Sequence, residues 1–134
     1  MVRTKIFRSI GVFFLMAMML ATVAFATSGL NAHCVVPANN GSAYGKQSGT
    51  KEAPGSSAYI YNVTVGGGYE LDARQWDATN KLGGAWARDL STMNNAAYLA
   101  GQPRMLKGNT IKVEFSSNFL TMVATEVNGT WDTN

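Results

Sequence analysis

The stretch Tyr59-Ile60-Tyr61-Asn62-Val63-Thr64-Val65 alternates with period two. Tyr59, Tyr61, Val63 and Val65 form an apolar row while Asn62 and Thr64 point the other way, which predicts a half-buried β-strand. Gly66-Gly67-Gly68 interrupts it. Tyr69-Glu70-Leu71-Asp72-Ala73-Arg74 then resumes the alternation with Tyr69, Leu71 and Ala73 inward, so the pair predicts a hairpin.

Working outward, the same grammar recurs. Asp77-Ala78-Thr79-Asn80 and Gly83-Gly84 mark a turn-rich connection, and Ala85 to Leu90 is expected as a further strand. Asn94-Asn95, Gly101-Gln102-Pro103 and Gly108-Asn109 separate the next short segments. Ile111, Val113 and Phe115 alternate with Lys112 and Glu114. A longer run from Phe119 to Val127 leads to Asn128-Gly129, the favoured pair for a type I′ hairpin turn, with Thr130 to Thr133 returning beside it. No segment sustains a 3.6-residue apolar repeat. The expected class is all-β, an antiparallel two-layer sandwich of about seven short strands, with a small barrel as the alternative.

Before this region the chain changes character twice. Arg3, Lys5 and Arg8 precede an apolar run from Ile10 to Phe25 that closes on Ala24-Phe25-Ala26, the pattern of a secretory signal peptide ending in an A-x-A cleavage site. An uncleaved membrane anchor is the alternative, since the run approaches the length of a spanning helix. No positive stop-transfer cluster follows, and cleavage is the reading preferred here. A lipoprotein is disfavoured because the only cysteine, Cys34, follows the bulky His33. From Ala38 to Ser57 the composition is rich in Gly, Ser, Asn and Lys, with Tyr44 the only large apolar residue. The expected organisation is therefore a signal peptide over 1–26, a flexible Gly/Ser/Asn-rich segment with one short strand over 27–57, and the sandwich core over 58–134.

Cleavage decides the electrostatics. The full chain of 134 residues carries 11 Lys+Arg against 8 Asp+Glu. Three of the cations lie in the leader, so the remaining domain is expected to be electrically balanced. That argues against nucleic acid as a partner and against a polybasic membrane anchor. No stable membrane span is expected after cleavage, and the expected location is outside the cell. A single cysteine in the exported domain forms no internal disulfide, so Cys34 is expected as a small buried hydrophobe.

Little in the chain carries reaction chemistry. His33 is the lone histidine, and its neighbour Cys34 would point to the opposite face of a strand, so the two neither share a metal nor act as nucleophile and base. Gly41-Ser42-Ala43-Tyr44-Gly45 places its serine one position early for a nucleophile elbow. Asp77, Thr79 and Asn80 offer oxygens for calcium, but Lys81 stands where an EF-hand loop needs an acid or amide. Gly66-Gly67-Gly68 lacks the lysine and hydroxyl of a phosphate loop. Neither a metal nor a cofactor is therefore expected. Glu70 and Asp72 share a strand face at a spacing compatible with glycoside hydrolysis, yet Arg74 continues their row, the pattern of a solvated face. Trp76 has the same parity and is expected to be exposed. Tyr44, Glu70, Asp72, Arg74 and Trp76 are thus the candidate binding residues, facing an unidentified protein or glycan at the cell exterior. The sequons at Asn40, Asn62 and Asn128 bear on function only where a glycosylating pathway exists.

The leader, the Gly/Asn/Ser-rich start, the short alternating strands and the closing Val127-Asn128-Gly129-Thr130-Trp131-Asp132 together resemble small secreted proteins of Gram-positive bacteria that carry a domain of unknown function. That resemblance implies no catalytic residues. Lactococcin-type bacteriocins are similar in size and composition, although their chains are shorter. The leading expectation is a secreted, non-enzymatic binding module. A bacteriocin-like antagonistic protein is the second, and a small carbohydrate-acting hydrolase using Glu70 and Asp72 the third.

Overall fold

The computed structural model describes residues 27–134, and the segment expected to be a signal peptide lies outside them. Eleven strands alternate between two antiparallel sheets packed face to face, and no helix among the described residues is long and apolar enough to cross a membrane. The first sheet contains β1 (Leu30–Asn31), β2 (Cys34–Val36), β5 (Ala58–Val65), β9 (Ala97–Leu99) and β11 (Thr125–Asp132), in the order β1-β11-β5-β9 with β2 also paired to β11. The second contains β3 (Ser42–Tyr44), β4 (Gly49–Thr50), β6 (Leu71–Asp77), β7 (Leu82–Gly83), β8 (Ala87–Leu90) and β10 (Thr110–Ser117), in the order β3-β10-β6-β7 with β4 on β10 and β8 on β6. The all-β sandwich holds, with eleven strands where about seven were expected. The surplus strands are two to four residues long, too short to show a period.

Four strands, β1 to β4, lie in the segment for which one was expected. The Gly/Ser-rich composition there serves close packing. Ala32, Val36, Gly45 and Gly49 are all buried, and a Cβ on Gly49 would fall 2.7 Å from Leu30 Cδ1. Lys51 ties the segment in from its far end. Its side chain is fully buried, and its Nζ donates to Gln75 Oε1 at 2.8 Å and to the Ser56 carbonyl. Burial pushes the Lys51 ammonium down from its ordinary range.

The Gly66–Gly68 turn is not a hairpin. β5 pairs with β11 and β9 while β6 pairs with β10, so the turn carries the chain from one sheet to the other. Gly67 and Gly68 take φ of 68° and 71°, which glycine adopts without steric cost. The expected turn at Asn128-Gly129 is likewise absent, because both residues lie inside β11. There Gly129 faces two residues of β5, Asn62 and Val63, in a β-bulge. Asn62 absorbs the extra residue at φ 53°, a left-handed conformation that asparagine tolerates.

That bulge reverses which side of β5 is inward. Val63 and Val65 are buried as expected, but upstream of the bulge Ala58 and Ile60 are buried, and Tyr59 and Tyr61 turn outward. Ile60, Val63, Val127 and Trp131 from the first sheet meet Leu71, Ala73, Ile111, Val113 and Phe115 from the second in a single core. Of the run from Phe119 to Val127 only Thr125–Val127 form strand, at the start of β11, and the part from Phe119 to Ala124 does not. It makes the connection between the sheets, with Phe119, Leu120, Met122 and Val123 all exposed.

Candidate functional site

Strand β6 has an unbroken alternation, with Leu71, Ala73, Gln75 and Asp77 buried. Asp72, Arg74 and Trp76 consequently stand on the outer face of the second sheet, half-buried by their neighbours rather than free in solvent. Register supplies those neighbours. Glu114 of β10 lies between Arg74 and Tyr44, Lys112 is opposite Trp76, and Ser116 is opposite Asp72. The parity of Lys112 and Glu114 against the buried Ile111, Val113 and Phe115 already marks them as outward, so the residues that complete the site were available from that alternation.

Arg74 is the centre of the cluster. Its Nε donates to Glu114 Oε2 at 2.6 Å, and its guanidinium carbon lies 4.3 Å from the centroid of Trp86 and 5.3 Å from that of Trp76. A planar cation between two indoles, bonded to a carboxylate that is almost wholly covered, is held by cation–π attraction and by a charge-assisted hydrogen bond together. Gly83, paired opposite Trp76 on β7, makes room for it: a Cβ there would sit 2.5 Å from the guanidinium carbon. Tyr44 extends the row, with its ring 5.8 Å from Trp76 and the Lys112 Nζ 5.7 Å from its own centroid. Burial, and then the Glu114 carboxylate, push the Tyr44 phenol up, with Arg74 acting in the opposite sense.

Asp72 is engaged differently. It accepts from the Arg88 guanidinium and, through Oδ1, from the Asp89 backbone N–H at 3.2 Å. The pair lines a hollow of about 430 Å³ with Asn40, Trp86, Asn118 and Phe119. Glu70 does not enter it. It lies before β6, exposed, and lines an adjoining hollow of about 310 Å³ with Tyr69 and Leu120. The two acids singled out for hydrolysis therefore face separate hollows that share only Asn118 at their margins.

The other sequence candidates sit elsewhere. His33 Nε2 lies 3.1 Å from Glu126 Oε1, not against Cys34. Cys34 is half-buried against the core, and burial raises its thiol to about 11. Asp77 is buried, and its oxygens accept from the backbone N–H groups of Thr79 and Asn80 and from Asn109 Nδ2 at 2.7 Å, which closes the turn internally. Of the three tryptophans, Trp131 is core, and Trp76 and Trp86 flank Arg74.

Of the five candidate binding residues, the structure brings Tyr44, Asp72, Arg74 and Trp76 onto one face and leaves Glu70 at its edge. To these it adds Trp86, Arg88, Lys112 and Glu114. Such a surface offers flat apolar rings beside fixed, planar hydrogen-bonding groups. It also offers a ready-made polar hollow. Comparison with protein-family models, with curated proteins and with solved structures found no match for this chain.

Proposed function

We propose that the protein is an exported, non-enzymatic binding module that takes a carbohydrate on the outer face of its second sheet. The observation that carries this reading is the hollow in which Trp86 stands beside the Asp72–Arg88 pair, with the amides of Asn40 and Asn118 around it. A sugar ring presents an apolar C–H face and a rim of hydroxyls, and it is recognised by an aromatic surface flanked by planar donors and acceptors already fixed in place. Arg88 and Asp72 orient one another, so less freedom is lost when a hydroxyl pair joins them. The separation of Glu70 from Asp72 gives the hydrolase reading no common cleft, which supports binding over turnover.

Titration of the purified protein with a panel of cell-wall and storage oligosaccharides, followed by calorimetry and tryptophan fluorescence, tests the reading. Saturable binding is expected, weakened roughly tenfold or more by Trp86→Ala and by Arg88→Ala. Silence across the panel, or binding indifferent to both substitutions, refutes it. A second reading, an antagonistic protein acting on a competitor's membrane, draws on the four exposed apolar residues between β10 and β11. Dye release from lipid vesicles that is abolished by Phe119→Ser with Leu120→Ser would favour it.

A further inference from the structure

The outer face of the first sheet carries a second aromatic cluster, independent of the carbohydrate surface. Tyr59 and Tyr61 project from β5 just before the bulge, and Tyr98 projects from β9 directly opposite Tyr59. The rings touch in a row: Tyr59 and Tyr61 are stacked at 5.7 Å between centroids, and Tyr59 and Tyr98 are tilted at 4.8 Å. Tyr98 is 73% exposed. On the other flank of Tyr59 the register places Asp132 of β11, so a carboxylate stands at the end of the row. Its Oδ1 accepts from the Gly29 backbone N–H at 2.7 Å and from the Tyr61 hydroxyl in a long 3.5 Å contact.

The combination of rings and a carboxylate is the one found on the second sheet, with one difference. There Arg74 fills the space between Trp76 and Trp86 and bonds Glu114, while Lys112 lies over Tyr44. Among the described residues no arginine or lysine lies over Tyr59, Tyr61 or Tyr98, and Asp132 has no ion-pair partner. A row of electron-rich rings and a carboxylate, with no cation from the described residues, is complementary in charge to an incoming one. We infer that the Tyr98–Tyr59–Tyr61 row with Asp132 is a docking surface for a protein partner, which it engages through a projecting lysine or arginine side chain. The partner's cation takes the place that Arg74 holds on the opposite face, over a ring and against a carboxylate.

The test is an NMR titration of the purified protein with a short glycine-rich peptide carrying lysine and arginine, alongside the same peptide with glutamate in their place. The basic peptide is expected to shift the ring resonances of Tyr59, Tyr61 and Tyr98 saturably and to leave the Trp86 indole unmoved. Asp132→Asn and Tyr98→Ala are each expected to weaken that binding roughly tenfold. Tyr98 is exposed on a short strand, so its replacement keeps the fold and guards against an ambiguous result from Asp132. The proposal is overturned by tyrosine resonances that do not move, by equal shifts from the glutamate peptide, or by both variants binding like the parent. It is equally overturned if tetramethylammonium at the same concentration moves the tyrosines as far as the basic peptide does, since the peptide then adds nothing to a small ammonium site.

Discussion

On the second sheet, Glu114 neutralises Arg74 and the rings of Trp76 and Trp86 close over the guanidinium. On the first, Asp132 stands beside Tyr59 and Tyr61 with no such cation from the described residues above the rings. The inward sides of both sheets are the same continuous apolar core. The difference lies in what each outer face has already satisfied. A face that supplies its own cation has rigid rings and a buried carboxylate, so it discriminates by shape and hydrogen bonding. On the proposed docking role, a face that lacks one depends on charge from outside, and its affinity should fall as salt screens that charge.

The comparison breaks most completely where the faces share a support. Trp131 is fully buried beneath both, and its Nε1 has no hydrogen-bond partner among the described residues. Trp131→Ala is expected to cost about 3–5 kcal/mol from the lost packing, checked by urea unfolding. A cost near zero would mean that the core is not built around that residue.

Removing a carboxylate from each face sharpens the contrast. Glu114→Gln leaves Arg74 half-buried among rings without its counter-charge, and a loss of about 2 kcal/mol is expected together with a changed near-ultraviolet tryptophan signal. Asp132→Asn keeps an oxygen for the Gly29 N–H, so its effect on stability should stay within about 0.5 kcal/mol. Equal costs for the two substitutions would erase the distinction between the faces.

The last effect is alkaline. The Cys34 thiol ionises near 9.0 in the unfolded chain and at about 11 in the fold. Above pH 9 the unfolded state sheds a proton that the folded state keeps, so stability falls as pH rises from 9 toward 11. Tyr44 and Tyr61, both raised, act in the same direction above pH 10. Lys51, lowered by burial, opposes them, since its penalty fades as pH approaches 10.5. Midpoints of urea unfolding at neutral and alkaline pH should therefore decline less steeply in Cys34→Ala than in the parent. An identical decline would place the alkaline loss elsewhere.

Much of this architecture was legible in residue order alone. The alternation of β6 and of β10 placed Asp72, Arg74 and Trp76 on one outer face and Ile111, Val113 and Phe115 in the core, because a regular strand translates parity directly into burial. Strands of two or three residues have almost no parity to read, which is why one strand was expected where β1 to β4 lie. Gly66-Gly67-Gly68 and Asn128-Gly129 misled for another reason: the conformations that permit a hairpin turn also permit a sheet-to-sheet crossing or a bulge. The partnership of Arg74 with Trp86 and Glu114 joins residues from three segments, and only strand register brings them together. Local pattern placed Asp72, Arg74 and Trp76 on one face but did not show which residues meet them there.

A strand has a reading frame, and Asn62 is the inserted letter that shifts it. Delete that residue and the pairing with β11 becomes regular with the remaining side chains on their present sides; keep it without the bulge, and Tyr59 and Tyr61 would be driven inward and Ile60 outward. A single inserted codon would therefore exchange interior for exterior along half a strand, were it not absorbed by the backbone where it stands. Surface character at this position is a property of length as much as of composition.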